Sequence, residues 1–234
     1  MTSARATSPS PRGLRVSEVF VSLQGEGPFC CRRAVFLRLA GCNLRCPWCD
    51  TKYSLDPRGG RLVGFEELAS RLAGEPGMLV VTGGEPLLQR GGLELLLELL
   101  WRRRPGMLVQ VETNGTLPPP EPGSRLYEAF YVVSPKDVPV RVEGARTHPG
   151  WFRFIRGTGR GWLKLLVSSR EDAVEAVEWA LGNDVPRENV YLMPLTRKGM
   201  GLEELLEAHR RVAGWALELG VNFSPRMHLL LGLR

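Results

Sequence analysis

Cysteines, histidines and long apolar runs are all scarce in this chain, and each scarcity removes a class of protein. Five cysteines in 234 residues make a poor disulfide framework, and two of them, Cys30 and Cys31, are sequence neighbours, which rarely pair with each other. They are read as packing residues, and the cysteine usage as a whole points to a reducing cytoplasm. No segment reaches the roughly 18 apolar residues that a membrane span needs, and the opening MTSARATSPSPRG has no apolar signal core. The net charge of +6 rests on scattered arginines without a long basic run. That favours an anionic small molecule over nucleic acid as the partner.

What is present suits one globular unit. With 43% hydrophobic and 24% charged residues, the chain can bury a substantial core. The expectation is a disordered tail over residues 1–14 and a single α/β domain over 15–234.

The stretch GCNLRCPWCDT organises the rest, because it sets Cys42, Cys46 and Cys49 within eight residues. An iron–sulfur cube normally takes four cysteine ligands, so a loop offering three leaves one iron free to bind something else. Structural zinc sites instead use four ligands, usually as two separated pairs, and no second pair or nearby histidine completes one here. The C-x3-C-x2-C spacing resembles the cluster loop of the radical S-adenosylmethionine (SAM) enzymes, in which SAM chelates the fourth iron.

Along the chain, strand and helix signals alternate. VSEVFVSL (16–23) reads as a strand into Gln24-Gly25-Glu26-Gly27. This loop is either a plain glycine turn or a place where the backbone approaches a ligand while Gln24 and Glu26 read a polar heterocycle. AVFLRL (34–39) is a buried-type strand broken by Arg38, whose guanidinium must find a partner. At the strand end before the cysteine loop it is placed to grip a carboxylate, unless it is an edge-strand surface arginine. Strands centred on Val35, Leu79, Val109, Tyr131, Leu165 and Tyr191, with helices between most of them, predict a partial parallel (β/α)6 barrel.

Smaller features complete the reading. Ser168 with Glu171 looks like a capping box opening a helix over 172–181. The apolar stripe from Leu202 to Leu219, closed by Gly220, reads as a core helix. SPRMHLLLGLR reads as a final short strand. Residues 137–161 have no clear period. His209 is read as structural or exposed, and His228 as a residue that either faces the site or does not.

Several motifs together narrow the resemblance. FVSLQGEGPF, VFLRLAGCNLRCPWCDTKYS, TGGEPLLQ, ETNGT, SPK, YLMP and SPRMH resemble, in order, spacing and wording, the 7-carboxy-7-deazaguanine synthase family of radical SAM enzymes. They span about 16–231. The resemblance implies conversion of 6-carboxy-tetrahydropterin to 7-carboxy-7-deazaguanine with loss of ammonia, a step towards queuosine and archaeosine. It also implies a [4Fe-4S] cluster, SAM, Mg2+, a homodimer and an electron donor such as flavodoxin or ferredoxin. By matching motif, Cys42, Cys46 and Cys49 would hold the cluster. Leu23, Gln24, Gly25, Arg38 and Thr82 would contact the pterin, with Glu26 nearby. Gly84, Ser134, Pro135 and Lys136 would contact SAM, and Thr51 would bind magnesium unless it merely steadies the loop. The ending GLR departs from the commoner one of the family, so no substrate contact is carried over to it. Two alternatives stand beside this reading. One is an activating enzyme of the glycyl-radical type, which would lack the LQGEG loop and the CDT run. The other is a zinc-stabilised RNA-binding module.

Overall fold

A computed structural model describes residues 12–233. The chain runs through β1 (Leu14–Leu23), β2 (Arg33–Leu39), β3 (Arg61–Val63), α1 (Phe65–Gly74), β4 (Met78–Gly83), α2 (Arg90–Arg103), β5 (Val109–Thr113) and β6 (Phe130–Val133). It continues through α3 (Gly150–Thr158), β7 (Gly161–Val167), α4 (Arg170–Gly182), β8 (Val190–Pro194), α5 (Leu202–Leu219), β9 (Asn222–Phe223) and α6 (Met227–Leu230).

The strands form one sheet in the order β3-β1-β2-β4-β5-β6-β7-β8-β9. Neighbours from β2 to β9 are parallel, while β1 is antiparallel to both β2 and β3. The sheet stays open, as a partial barrel. All six strands expected from the sequence lie in its parallel part. What the sequence did not distinguish is β1, which closes one flank as an antiparallel strand.

Strand periodicity divides the sheet into two faces. Leu37, Leu79, Val81, Val109, Val111, Leu163, Leu165 and Leu192 point to one side and pack with Leu68, Leu93, Leu96, Leu97, Leu100, Trp151 and Val212 of the helices in the main core. Leu93, Leu96, Leu97 and Leu100 of α2 are all fully buried, and each contributes about 1.5–3 kcal/mol of hydrophobic burial. The alternate residues face the concave side. At its N-terminal end Ala34, Met78 and Val80 pack with Phe29, Phe36 and Leu108 as an apolar floor. Arg38 and Thr82, which are register partners, belong to the same alternate set nearer the strands' C-terminal ends, as do Glu112 and Lys164.

Several local readings need correction. Within residues 137–161, which show no clear period in sequence, residues 150–158 form α3, closed by Gly159 at φ 64. Its nine residues are too few to print a clear period in sequence. The capping box lies one residue later than expected: Ser169 Oγ accepts from the Asp172 amide at 3.0 Å, and the Asp172 carboxylate accepts from the Ser169 amide. Ser168 also donates its hydroxyl to Asp172. The last strand is only Asn222–Phe223, and the following leucines coil into α6, because Met227 N–H bonds back to Gly25 O at 2.9 Å and pulls the chain over the barrel mouth. Cys31 is exposed with φ 68, a turn position rather than a packed one, and Cys30 is half-buried. Of the expected N-terminal tail, residues 1–11 lie outside the described residues, and Leu14 is a buried member of β1. Among the described residues no helix is long and apolar enough to cross a membrane.

His209 of α5 fastens the end of the chain. The Nδ1 atom lies 2.6 Å from Leu205 O, and Nε2 accepts the Arg226 amide at 2.9 Å. Only a neutral ring with its proton on Nδ1 can make both bonds. Burial holds the His209 pKa below its ordinary value of 6.5, against the opposing pull of the Leu205 carbonyl. The folded protein therefore binds fewer protons here than the unfolded chain, so the contribution is complete above pH 6.5 and is lost as pH falls below that value. His209→Phe leaves the Arg226 amide without its acceptor. Thermal unfolding should show a loss of about 1–3 kcal/mol at pH 7.5 and a flatter decline of stability below pH 6.5.

Candidate active site

The C-terminal ends of the parallel strands open into a cavity of about 280 Å³. One wall is the cysteine loop. Gly41 N–H donates to Ser54 O, Cys42 N–H to Leu55 O and Cys49 N–H to Cys46 O. The facing strand comes very close, with Glu85 N–H on Gly41 O at 2.7 Å and Gly84 N–H on Leu39 O at 3.1 Å. A Cβ on Gly84 would lie 2.1 Å from Gly41 O, so only glycine allows this approach.

Asn114, just beyond β5, ties the loop from another side. It donates to Asn43 Oδ1 at 2.9 Å, and Asn43 donates to Thr116 Oγ1 at 2.7 Å. Glu85 is fully buried beneath the loop and accepts from Leu87 N–H, Asn114 N–H and the Thr113 hydroxyl. Burial pushes its carboxyl above the usual range, and these three donors oppose that.

Cys42, Cys46 and Cys49 are free thiols that line the cavity. Burial pushes the Cys42 and Cys46 thiols up, with Lys136 pulling Cys46 the other way. Three thiols on one loop suit a cluster. A cube carries its irons at separate corners and takes one thiolate at each. The Thr51 hydroxyl lies 3.7 Å from Cys49 Sγ and makes no capping bond to the short helix that follows. Its oxygen therefore remains available to a ligand at the cavity wall. Lys136 donates to Ser134 O and Oγ, both at 2.6 Å. Burial brings its pKa down to about 8 despite the opposing pull of Cys46.

The opposite wall is a buried charge network. Lys164, 4% exposed, donates to Glu26 Oε2 at 2.6 Å and to Glu112 Oε2 at 2.7 Å. Glu112 also accepts from Gln24 Nε2 at 3.1 Å and from Gln110 Nε2 at 2.5 Å. Arg226 donates to Glu26 Oε1 at 3.0 Å and to Asp50 Oδ2 at 2.6 Å, and bonds Thr196. His228 lies 4.0 Å from Glu26. Burial works to raise the Glu26 pKa, but Lys164, Arg226 and His228 outweigh it and hold the carboxyl well below the carboxylate range. Burial likewise works against the Lys164 charge, and Glu112 and Glu26 raise its pKa above the usual lysine value.

Leu23, Gln24, Gly25, Glu26, Arg38, Cys42, Cys46, Cys49, Thr51, Thr82, Gly84, Ser134 and Lys136 all line this one cavity. Pro135 is buried outside its lining. Arg38 already has a carboxylate partner: its Nε donates to Glu18 Oε1 at 2.6 Å, and Tyr53 donates to the same oxygen at 2.5 Å. Sequence reasoning passed over Glu112, Lys164, Asp50, Thr196 and Arg226. Lys164 in GWLKLLV carried the same signal that marked Arg38, a charge inside an apolar strand. Arg226 carried none, because its partners are distant in sequence.

Chemically, the cavity joins a three-thiol loop to a wall of fixed donors and acceptors, the arrangement needed to hold a polar ring beside a metal cluster. The sequence matches the family model of the radical SAM superfamily over residues 37–212. It is 50% identical to the 7-carboxy-7-deazaguanine synthase of Hyperthermus butylicus, over 98% of this chain and 97% of that protein. The synthase of Pyrobaculum aerophilum is 40% identical over 95% of this chain and 96% of its own length. Two solved structures share the fold. QueE from Escherichia coli has a TM-score of 0.71 at 23% identity, covering 95% of this chain and 100% of that one. Streptococcus suis SuiB bound to S-adenosylmethionine has a TM-score of 0.50 at 16% identity, covering 78% and 44%. The chain belongs to the radical SAM superfamily and, within it, to the 7-carboxy-7-deazaguanine synthase family.

Proposed function

We propose that this chain converts 6-carboxy-tetrahydropterin to 7-carboxy-7-deazaguanine with release of ammonia, in 7-deazapurine biosynthesis. The observation that carries this reading is the meeting of the cysteine loop with Gln24, Glu26 and Arg38 at one cavity, in a chain that matches synthases along nearly its whole length. When bound, the cluster and SAM together supply one-electron chemistry, the reductive cleavage of SAM that starts hydrogen abstraction from the substrate.

The chain's own residues bind, orient and exclude water. Cys42, Cys46 and Cys49 are the cluster ligands. Gly84, which lines the cavity beside the cysteine loop, is assigned to SAM on its match to the GGEP motif of the family, and Ser134 and Lys136, with Pro135 between them, complete that side. Lys136 brings a positive charge to the methionine carboxylate. Leu23, Gln24, Gly25, Glu26, Arg38 and Thr82 hold the pterin. Glu18 engages Arg38 through Nε, which leaves the terminal nitrogens of the fork for the substrate carboxylate. Glu26, held ionised by Lys164 and Arg226, and Glu112, bound by the same lysine, offer fixed acceptors to the N–H groups of the ring. Thr51 supplies one oxygen to Mg2+, whose remaining positions fall to substrate and water. The protein works as a homodimer in the cytoplasm, where its cysteines stay reduced, and takes its electron from a carrier such as flavodoxin or ferredoxin.

Three outcomes test these assignments. Cys46→Ala should lose the visible absorbance of the reconstituted cluster and SAM cleavage together, while stoichiometric zinc in the anaerobically reconstituted wild type would end the radical reading. Arg38→Lys keeps the charge and loses the fork, so KM for the pterin should rise by about ten-fold or more with a smaller change in kcat. Unchanged KM in Arg38→Ala removes that residue from the substrate site. Thr51→Val keeps the shape and deletes the oxygen. It should retain iron, sulfide and SAM binding yet lose most magnesium-stimulated turnover, and a wild-type magnesium response would rule Thr51 out as a ligand.

A further inference from the structure

Arg38 is held by more than its own strand. The antiparallel register of β1 and β2 slips at a β-bulge, so that Val16 faces Leu39 but Glu18 faces Arg38. Without that slip Ser17 would oppose Arg38, and Glu18 would oppose Leu37, which packs in the main core. The bulge instead turns the Glu18 carboxylate onto the concave face, where it accepts Arg38 Nε at 2.6 Å and both side chains are largely buried. Arg38 Cζ lies 5.8 Å from the centroid of the Phe20 ring, and Phe20 stacks on Phe36 at 4.9 Å. Both rings line the cavity.

The oxygen of Glu18 that accepts from Arg38 also accepts the Tyr53 hydroxyl at 2.5 Å. Tyr53 belongs to the base of the cysteine loop. It sits in the short helical turn Lys52–Ser54, which Thr51 precedes. Gly41 N–H donates to Ser54 O and Cys42 N–H to Leu55 O, so this turn closes the loop that carries the three thiols. The bond from Tyr53 to Glu18 therefore joins the closed end of the cysteine loop to the residue that orients Arg38.

We propose that Glu18 and Tyr53 are positioning residues, a relay through which an ordered cysteine loop sets the orientation of Arg38 for the substrate carboxylate. The inference rests on the reading that Arg38 grips that carboxylate, and deepens it. A guanidinium carries its charge in any orientation, but a bidentate contact needs the plane of the fork to be fixed. Glu18 fixes the fork at Nε, the Phe20 ring supports it, and Tyr53 fixes Glu18. Restraint of the loop by a cluster on Cys42, Cys46 and Cys49 therefore reaches the carboxylate grip through Tyr53. Linkage makes the effect reciprocal, so bound substrate steadies the loaded loop by the same factor.

The test is anaerobic isothermal titration with 6-carboxy-tetrahydropterin, with SAM withheld so that nothing turns over. Reconstituted wild type should bind it about five-fold or more tighter than the cluster-free chain. Tyr53→Phe keeps the ring and deletes the bond. Reconstituted to the wild-type iron and sulfide content, it should lose that difference. Glu18→Gln keeps the shape and removes the charge, and should raise the Kd of the reconstituted protein by about ten-fold. Tetrahydropterin without the 6-carboxylate should bind the wild type and both variants alike, because Arg38 has nothing to grip on it. An unchanged Kd in Glu18→Gln overturns the proposal. So does equal wild-type affinity with and without the cluster, a cluster-dependent difference that survives in Tyr53→Phe, or an equal loss for both pterins, which would make the role merely structural. A wild type that binds neither pterin ends the functional reading on which the proposal rests.

Discussion

The site depends on one buried cation. Lys164 enters the barrel from the middle of an apolar strand, and removing an ammonium from water costs several kcal/mol unless fixed charges compensate it. Glu112 of β5 and Glu26 of the 24–27 loop compensate it at 2.7 and 2.6 Å. This ties together segments that are 52 and 138 residues from Lys164 in the chain. Arg226 then balances the second oxygen of Glu26 and reaches across to Asp50 beside the last cysteine. The order of burial, charge and partner is therefore common to the wall that faces the substrate and the loop that holds the cluster. Loss of either carboxylate leaves an undercompensated buried charge, so the network enforces one arrangement rather than adding much net stability.

A second constraint is steric. The strand end at Gly83-Gly84 lies against the backbone from Leu39 to Gly41 with no room for a Cβ. The resulting amide contacts, with those of Asn43, Asn114 and Thr116, fix a loop that has no regular secondary structure of its own. Such a loop can present three thiols in a set geometry only because its backbone is bonded on two sides. The apolar floor of Phe29, Phe36, Met78 and Val80 shuts the opposite end of the barrel. The polar end is consequently the end at which a ligand can enter.

The C-terminal segment completes the mouth. Gly27 N–H donates to Ser224 Oγ at 2.8 Å, Met227 N–H donates to Gly25 O, and His209 takes the Arg226 amide. A Cβ on Gly25 would strike His228. The 24–27 loop and the C-terminal segment thus close on each other around Glu26. The glycines of the 24–27 loop act as a seat for the tail as much as an approach for a ligand.

How much of this was legible in sequence follows from the range of each interaction. The six parallel strands, the long helices and the cysteine loop were readable because each depends on a local pattern, a two-residue or 3.6-residue apolar period or a three-cysteine spacing. Gln24, Glu26 and Arg38 were readable for the same reason, as polar groups at the ends of apolar strands. The direction of β1, the start of α3 and the coiling of the tail were not, because an antiparallel partner, a nine-residue helix and a bond from Met227 to Gly25 leave no periodic trace. The partners of Arg38, Lys164 and Arg226 were hidden for a deeper reason. A sequence shows that a buried charge must be compensated, but which carboxylate compensates it is decided by sheet order and register, and those exist only in the folded chain.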